Sequence, residues 1–226
     1  MRICVIIPAY NEAENVGSVV SGARKFLKDV VVVDDGSTDD SAARARQAGA
    51  ILIEHKVNRG KGVALKTGYD YALEKDYDAV ITLDADGQHD PEEIPQFLEA
   101  AKDTDVVVGT RAGNRARMPL IRRATNTLSS WILSGLVGQH LTDTQSGYRL
   151  IKAEVLKKTK TKTTGFEAES EILLEAKSRG FRVAEIPIKT IYGAEKSHYK
   201  WWYAFIFLGL VGKYLLKKLP WPKERG

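Results

Sequence analysis

Short, unbroken apolar runs alternate with longer stretches of helical spacing over the first half of the chain. Residues 3–7, 30–33, 51–54, 79–83 and 106–108 are β-branched or aliphatic at nearly every position and read as strands. Residues 11–27, 38–48, 61–74 and about 91–101 read as helices, with Ser37 or Thr38 capping the second and Ala64, Leu65, Tyr69 and Ala72 on the inner side of the third. Strands without a polar face, joined by helices, predict a mostly parallel sheet covered on both faces, an α/β fold.

Beyond Arg111 the pattern loosens. Residues 118–137 have helical spacing with basic residues early and apolar residues late. Residues 147–151 read as a strand, 166–178 as a strongly acidic helix and 181–186 as another strand. No Pro-, Gly- or Ser-rich linker divides the chain, so residues 1–199 form one expected domain. The remainder, 200–226, is different. Residues 201–212 carry no charge, and extending the run to Leu216 admits only Lys213. Sixteen helical residues span about 24 Å, short of the roughly 30 Å hydrocarbon core of a bilayer. Tryptophans at the start of the run and lysines after it suit an interfacial helix, with a core helix capped by a basic tail as the alternative, rather than a membrane span.

Composition is that of a globular protein: 226 residues, 43% hydrophobic and 28% charged, with a formal net charge of +5. The distribution of charge says more than its sum. From Ala112 to Thr142 there is no acid but four arginines (Arg115, Arg117, Arg122 and Arg123), and from Lys196 to Lys223 there is no acid but six lysines. Positive charge beside apolar residues points to a phosphate or an anionic lipid surface. No nucleic-acid motif accompanies it, so nucleic acid is not an expected partner. The single cysteine, Cys4, falls inside the first strand, cannot form an internal disulfide, and reads as a small core residue.

The chemistry starts at Asp84-Ala85-Asp86, directly after an apolar strand. Two carboxylates at the carboxyl edge of an α/β sheet stand where ligands of such folds bind. They repel one another unless a cation lies between or beside them. Hard oxygen ligands suit Mg²⁺ or Mn²⁺, commonly shared with substrate phosphates. Three further strand-to-helix turns fall at the same edge: Pro8-Ala9-Tyr10-Asn11-Glu12, Asp34-Asp35-Gly36-Ser37, and Asn58-Arg59-Gly60-Lys61-Gly62. Gly60 and Gly62 read as permitting close chain approach, His89 as an exposed turn residue, and Glu169 as a helix-start acid favoured by the dipole.

This ordered set, with Val108-Gly109-Thr110-Arg111, Asp143-Thr144-Gln145-Ser146-Gly147-Tyr148-Arg149, Phe166-Glu167 and Glu195-Lys196-Ser197, resembles the family 2 glycosyltransferases of GT-A fold. It is most similar to the dolichol-phosphate mannosyltransferase and polyprenyl-phosphate glycosyltransferase group, from Ile3 to about Tyr199. The resemblance implies a GT-A catalytic domain that moves a hexose, mannose or glucose, from a GDP- or UDP-linked sugar to a polyprenyl or dolichyl phosphate, with inversion and with Mg²⁺ or Mn²⁺. Pro8, Tyr10 and Glu12 would hold the nucleoside and Asp35 the base or ribose, while Asp34 braces its turn. Asp84 would line the nucleotide-sugar site, and Asp86 and Gln88 would bind the metal. Arg111 would contact phosphate, Arg122 or Arg123 would receive the lipid phosphate, and Lys196 and Ser197 would close over the diphosphate. A phosphate acceptor needs positioning rather than a strong base. A saccharide or lipid hydroxyl acceptor would need one, and Asp143 is the candidate. Outside this class stand a nucleotidyltransferase and an idle nucleotide-sugar binding module. The expected place of action is the cytoplasmic face of a membrane, as a peripheral enzyme or one paired with a membrane subunit.

Overall fold

The computed structural model describes residues 1–111, 120–138, 140–159 and 168–189. Seven strands form one sheet: β1 (Ile3–Ala9), β2 (Val30–Asp34), β3 (Ile51–Glu54), β4 (Ala79–Thr82), β5 (Val106–Thr110), β6 (Arg149–Lys152) and β7 (Val183–Pro187). Their order is β3-β2-β1-β4-β6-β5-β7. Every pairing is parallel except the two made by β6, which runs against β4 and β5.

Helices cover both faces, as the continuous apolar strands require. Along β1, Val5 and Ile7 face one layer and Cys4 and Ile6 the other. The first layer contains Val16, Val19 and Val20 of α1 (Val16–Arg24), Ala45 of α2 (Ser41–Gln47) and Phe97 of α4 (Ile94–Ala100). The second contains Leu65 and Tyr69 of α3 (Lys61–Glu74), Val155 of α6 (Ala153–Lys158) and Ile172 of α7 (Ala168–Ser178). Cys4 is fully buried, and burial raises its thiol to about 12, in keeping with a core role. The mixed, mostly parallel sheet is the architecture expected of a GT-A domain.

The differences from the sequence reading have local causes. The first helix begins at Val16 rather than at residue 11, because Asn11 takes a left-handed φ of 54° and the next residues form a turn closed by Glu12. The second begins at Ser41, and neither Ser37 nor Thr38 caps it. Ser37 donates its hydroxyl to Asp34 instead, and the Thr38 amide bonds Asn11 Oδ1 at 2.8 Å. The strand expected from residue 147 starts at Arg149. Helix α6, six residues long, was not anticipated.

A last helix, α5 (Leu120–Val137), turns three polar residues inward. Asn126, Ser129 and Ser130 are buried, and the Thr144 amide donates to Ser130 Oγ at 3.2 Å. Outward stand Leu128, 56% exposed, and Trp131, 74% exposed. Among the described residues no helix is long and apolar enough to cross a membrane. The expected apolar helix and tail at 200–226, and the boundary at 199, lie outside the described residues.

Candidate active site

Four turns meet at the carboxyl edge of the parallel strands. Asp84 follows β4, and its Oδ1 lies 2.6 Å from Lys61 Nζ at the opening of α3. The same ammonium lies 2.9 Å from Glu169 Oε1 on α7. All three side chains are largely buried. Burial alone would raise the Asp84 carboxyl, but the Lys61 ammonium more than offsets this and draws it down to about 2. The Lys61 ammonium is therefore a cation beside the first acid. Gly147 crowds the other side: a Cβ there would lie 2.7 Å from Asp84 Oδ1 and 2.8 Å from Oδ2.

Asp86 is placed differently. Its Oδ1 accepts the Gln88 amide N–H at 3.0 Å and its Oδ2 accepts the Gln88 side-chain NH₂ at 2.7 Å. Burial, then the charge of Asp84, raises its carboxyl to about 7. The group holds a charge poorly unless a cation joins it. Among the described residues no three His, Cys, Asp or Glu side chains converge. The donor set here is one carboxylate and one carboxamide, both hard oxygen ligands, and so fits a cation that keeps most positions for phosphate and water, as Mg²⁺ does.

Tight turns set these positions. Gly87, between Asp86 and Gln88, has φ 75°, a region that favours glycine. Gly60 caps α3 at φ 96°, a second position where the backbone favours glycine. His89 is buried, 3% exposed, and not an exposed turn residue. The Asp84 amide donates to His89 Nδ1 at 3.2 Å, which places the proton of a neutral ring on Nε2. Burial lowers His89 to about 4.

Of the residues expected to hold the nucleoside, Pro8 is buried in β1, Tyr10 is 46% exposed just beyond it, and Glu12 is half-buried. Asp34 braces its turn as expected, accepting the Ser37 amide at 3.2 Å. Asp35 is buried and occupied. Its carboxylate accepts the amides of Arg59 at 3.0 Å and Gly60 at 2.7 Å, and lies 2.7 Å from His55 Nδ1. It ties β2 to the turn that opens α3.

Arg111, just past β5, forms a two-pronged pair with Asp143: Nε to Oδ2 at 2.7 Å and Nη2 to Oδ1 at 2.8 Å. The Arg111 amide adds a third bond at 3.1 Å. Burial would raise Asp143, but Arg111 outweighs it and holds the carboxyl below its usual range. Arg149, fully buried on β6, donates to the carbonyls of Thr144, Ser146 and Glu169, so it fixes the loop that precedes its own strand. Arg122 and Arg123 fall on α5, but their side chains lie outside the described part, as do Glu167, Lys196 and Ser197 altogether.

Two residues escaped the sequence reading. Between its two glycines Lys61 has no role legible in the sequence, and Glu169 reads as an ordinary helix-start acid; they meet only through the fold. The available signal is Lys61 itself, an ammonium at the opening of a helix on the carboxylate edge.

Comparison with known proteins identifies the family and the fold. The glycosyl transferase family 2 profile matches residues 4–160. An undecaprenyl-phosphate mannosyltransferase of Micrococcus luteus is 31% identical, over 83% of this chain and 83% of its own. A UDP-N-acetylglucosamine–dolichyl-phosphate N-acetylglucosaminyltransferase of Methanococcus voltae is 34% identical, over 84% and 86%. Among solved structures, glucosyl-3-phosphoglycerate synthase of Mycobacterium tuberculosis, crystallised with Mg²⁺ and uridine diphosphate, superposes with a TM-score of 0.73. It is 21% identical, covers 94% of this chain and 78% of its own, and shares the fold. The chain belongs to glycosyl transferase family 2 and is a glycosyltransferase.

Proposed function

We propose that this glycosyltransferase moves mannose or glucose from a GDP- or UDP-linked sugar to a polyprenyl or dolichyl phosphate, with inversion, at the cytoplasmic face of a membrane. The observation that carries the reading is the unequal treatment of two neighbouring acids. Asp84 is neutralised by Lys61, whereas Asp86 forms no ion pair among the described residues and is raised to about 7. Asp86 and Gln88 would hold Mg²⁺ or Mn²⁺, which when bound would neutralise charge on the departing diphosphate.

The chain's own residues do the rest. Pro8, Tyr10, Glu12 and Asp35 shape the nucleoside end. Asp84, fixed by Lys61 and Gly147, lines the sugar. Arg111 stands at the same lip to meet phosphate, where a preset donor contributes several kcal/mol, about 3, to a charge that develops on leaving oxygens. Lys196 and Ser197 close over the diphosphate. Arg122 and Arg123 take the acceptor phosphate from a helix whose outward side is Leu128 and Trp131, a fit for lipid. The state of Asp143 favours this acceptor over a hydroxyl. Both its oxygens are engaged by Arg111 and its carboxyl is held low, so it is a poor base, and an ionised phosphate needs none. Two of the relatives carry lipid-phosphate acceptors in their names, which supports the same reading.

The test is a panel of radiolabelled nucleotide sugars against polyprenyl phosphate, with Mg²⁺, with Mn²⁺ and with chelator. Label should enter the organic phase only with cation. Label that stays aqueous with every donor defeats the lipid acceptor. Asp86→Ala should abolish transfer; near-normal rates in that variant would remove the cation from the mechanism.

A further inference from the structure

We propose that Glu185 is a positioning residue for Arg111, acting through residues 142–143. The inference rests on the reading in which Arg111 meets a phosphate.

Residues 140–148 have no helix or strand, so no ladder fixes Asp143, yet Asp143 carries the Arg111 guanidinium. The Asn126 side chain on α5 hydrogen-bonds the Asp143 carboxylate, and the backbone of residues 142–143 is held from the neighbouring strands. Glu185 lies beside Val108 in the β5–β7 ladder. Val108 and Thr110 are two apart, so their side chains leave β5 on one face. On that face Thr110 Oγ1 lies 2.7 Å from Thr142 Oγ1. Glu185 reaches the same residue. The Thr142 amide donates to its two oxygens at 2.8 and 2.9 Å, and the Thr142 hydroxyl to Oε2 at 3.0 Å. The Asp143 amide donates to Oε1 at 3.0 Å.

The bonds run in single file: Glu185 to the backbone of residues 142–143, the Asp143 carboxylate to Arg111. A carboxylate on an edge strand ordinarily points to water. This one spends its acceptors on two backbone N–H groups that have no ladder partner. A two-pronged guanidinium–carboxylate pair has a fixed plane, so a small shift of residues 142–143 turns the fork away from its setting. A displacement near 1 Å at such a donor is enough to cost about 10²-fold in rate.

The experiment uses the full chain with Glu185→Gln, which keeps the size but puts an NH₂ where two N–H groups point. Amide hydrogen exchange should speed up at least about tenfold at Thr142, Asp143 and Arg111 together, with β1 and β4 unchanged. Should that variant not fold, Glu185→Asp, shorter by one CH₂, is compared in the same way. Wild-type protection at Arg111 while residues 142–143 loosen would overturn the proposal. In the transfer assay, Glu185→Gln should lower kcat at least tenfold while the Kd for the nucleoside diphosphate stays within twofold. Adding Asp143→Asn should lower it no further; independent, multiplying losses would also overturn the proposal. If the unsubstituted protein transfers no sugar to lipid phosphate, the functional reading fails, and the exchange data still decide the role of Glu185.

Discussion

Lys61→Met removes the ammonium that lies between Asp84 and Glu169 and leaves a chain of similar length in its place. Breaking a buried ion pair by deleting one partner costs about 3–5 kcal/mol. The Lys61 and Glu169 side chains are 16% and 5% exposed, so that contact counts nearly in full; Asp84, at 26%, is partly screened by water and counts for less. The expected loss is therefore at the lower end, about 3 kcal/mol, or a fall in Tm of about 6–12 °C for a chain of this size. The assay is urea unfolding with chelator present, at pH 7.5 and pH 5.5. In the unsubstituted protein Lys61 is raised, net of its burial, by Asp84 and Glu169. Its contribution is intact below the unfolded lysine value of about 10.4 and is lost only as pH rises through the folded one. Asp84 is lowered to about 2, so its contribution is intact above about 3.9 and is lost as pH falls below that. Between pH 5.5 and 7.5 the pair contributes a constant amount. In the variant, burial raises the Asp84 carboxyl with no Lys61 ammonium to offset it, and a raised acid penalises folding above its pKa and is relieved as pH falls through it. The deficit should thus shrink at pH 5.5. A deficit under about 1 kcal/mol at pH 7.5, or one that fails to shrink on acidification, would refute the reasoning.

Two other substitutions probe separate parts of the molecule. Gly147→Ala places a methyl 2.7 Å from the Asp84 carboxylate; an overpacking cost of about 1–3 kcal/mol and a raised donor KM are expected, read by melting and by initial rates. Trp131→Glu on the outward side of α5 should leave stability within about 0.5 kcal/mol, because the side chain is 74% exposed, yet lower binding to anionic lipid vesicles in a flotation assay; unchanged flotation would place membrane contact elsewhere.

The parallel half of the fold was legible because its strands are apolar on both faces and its helices keep their spacing. The reversed direction of β6 was not, since a short apolar run carries no sign of polarity and Arg149–Lys152 pairs with two strands far from it in sequence. Helix α6 is too short to display a period. In the site, Asp84, Asp86 and Gln88 stand out because acids after an apolar strand have few structural uses. The Lys61–Glu169 contact joins residues far apart along the chain, and no local pattern announces it. His89 illustrates the converse: its turn neighbours predict exposure, and the ring is buried against Tyr148 instead.

One strand that points the wrong way has an architectural consequence. In a wholly parallel sheet only departing segments reach the working rim, and each must loop round through a helix before it can return. Here the chain leaves that rim at Thr110 and re-enters it at Arg149, so the stretch between them is anchored twice at the same place. Near its end the Gly147 carbonyl accepts the Thr82 hydroxyl of β4 at 2.6 Å and the same residue packs against Asp84, so a change where the chain re-enters is felt directly at the carboxylate edge.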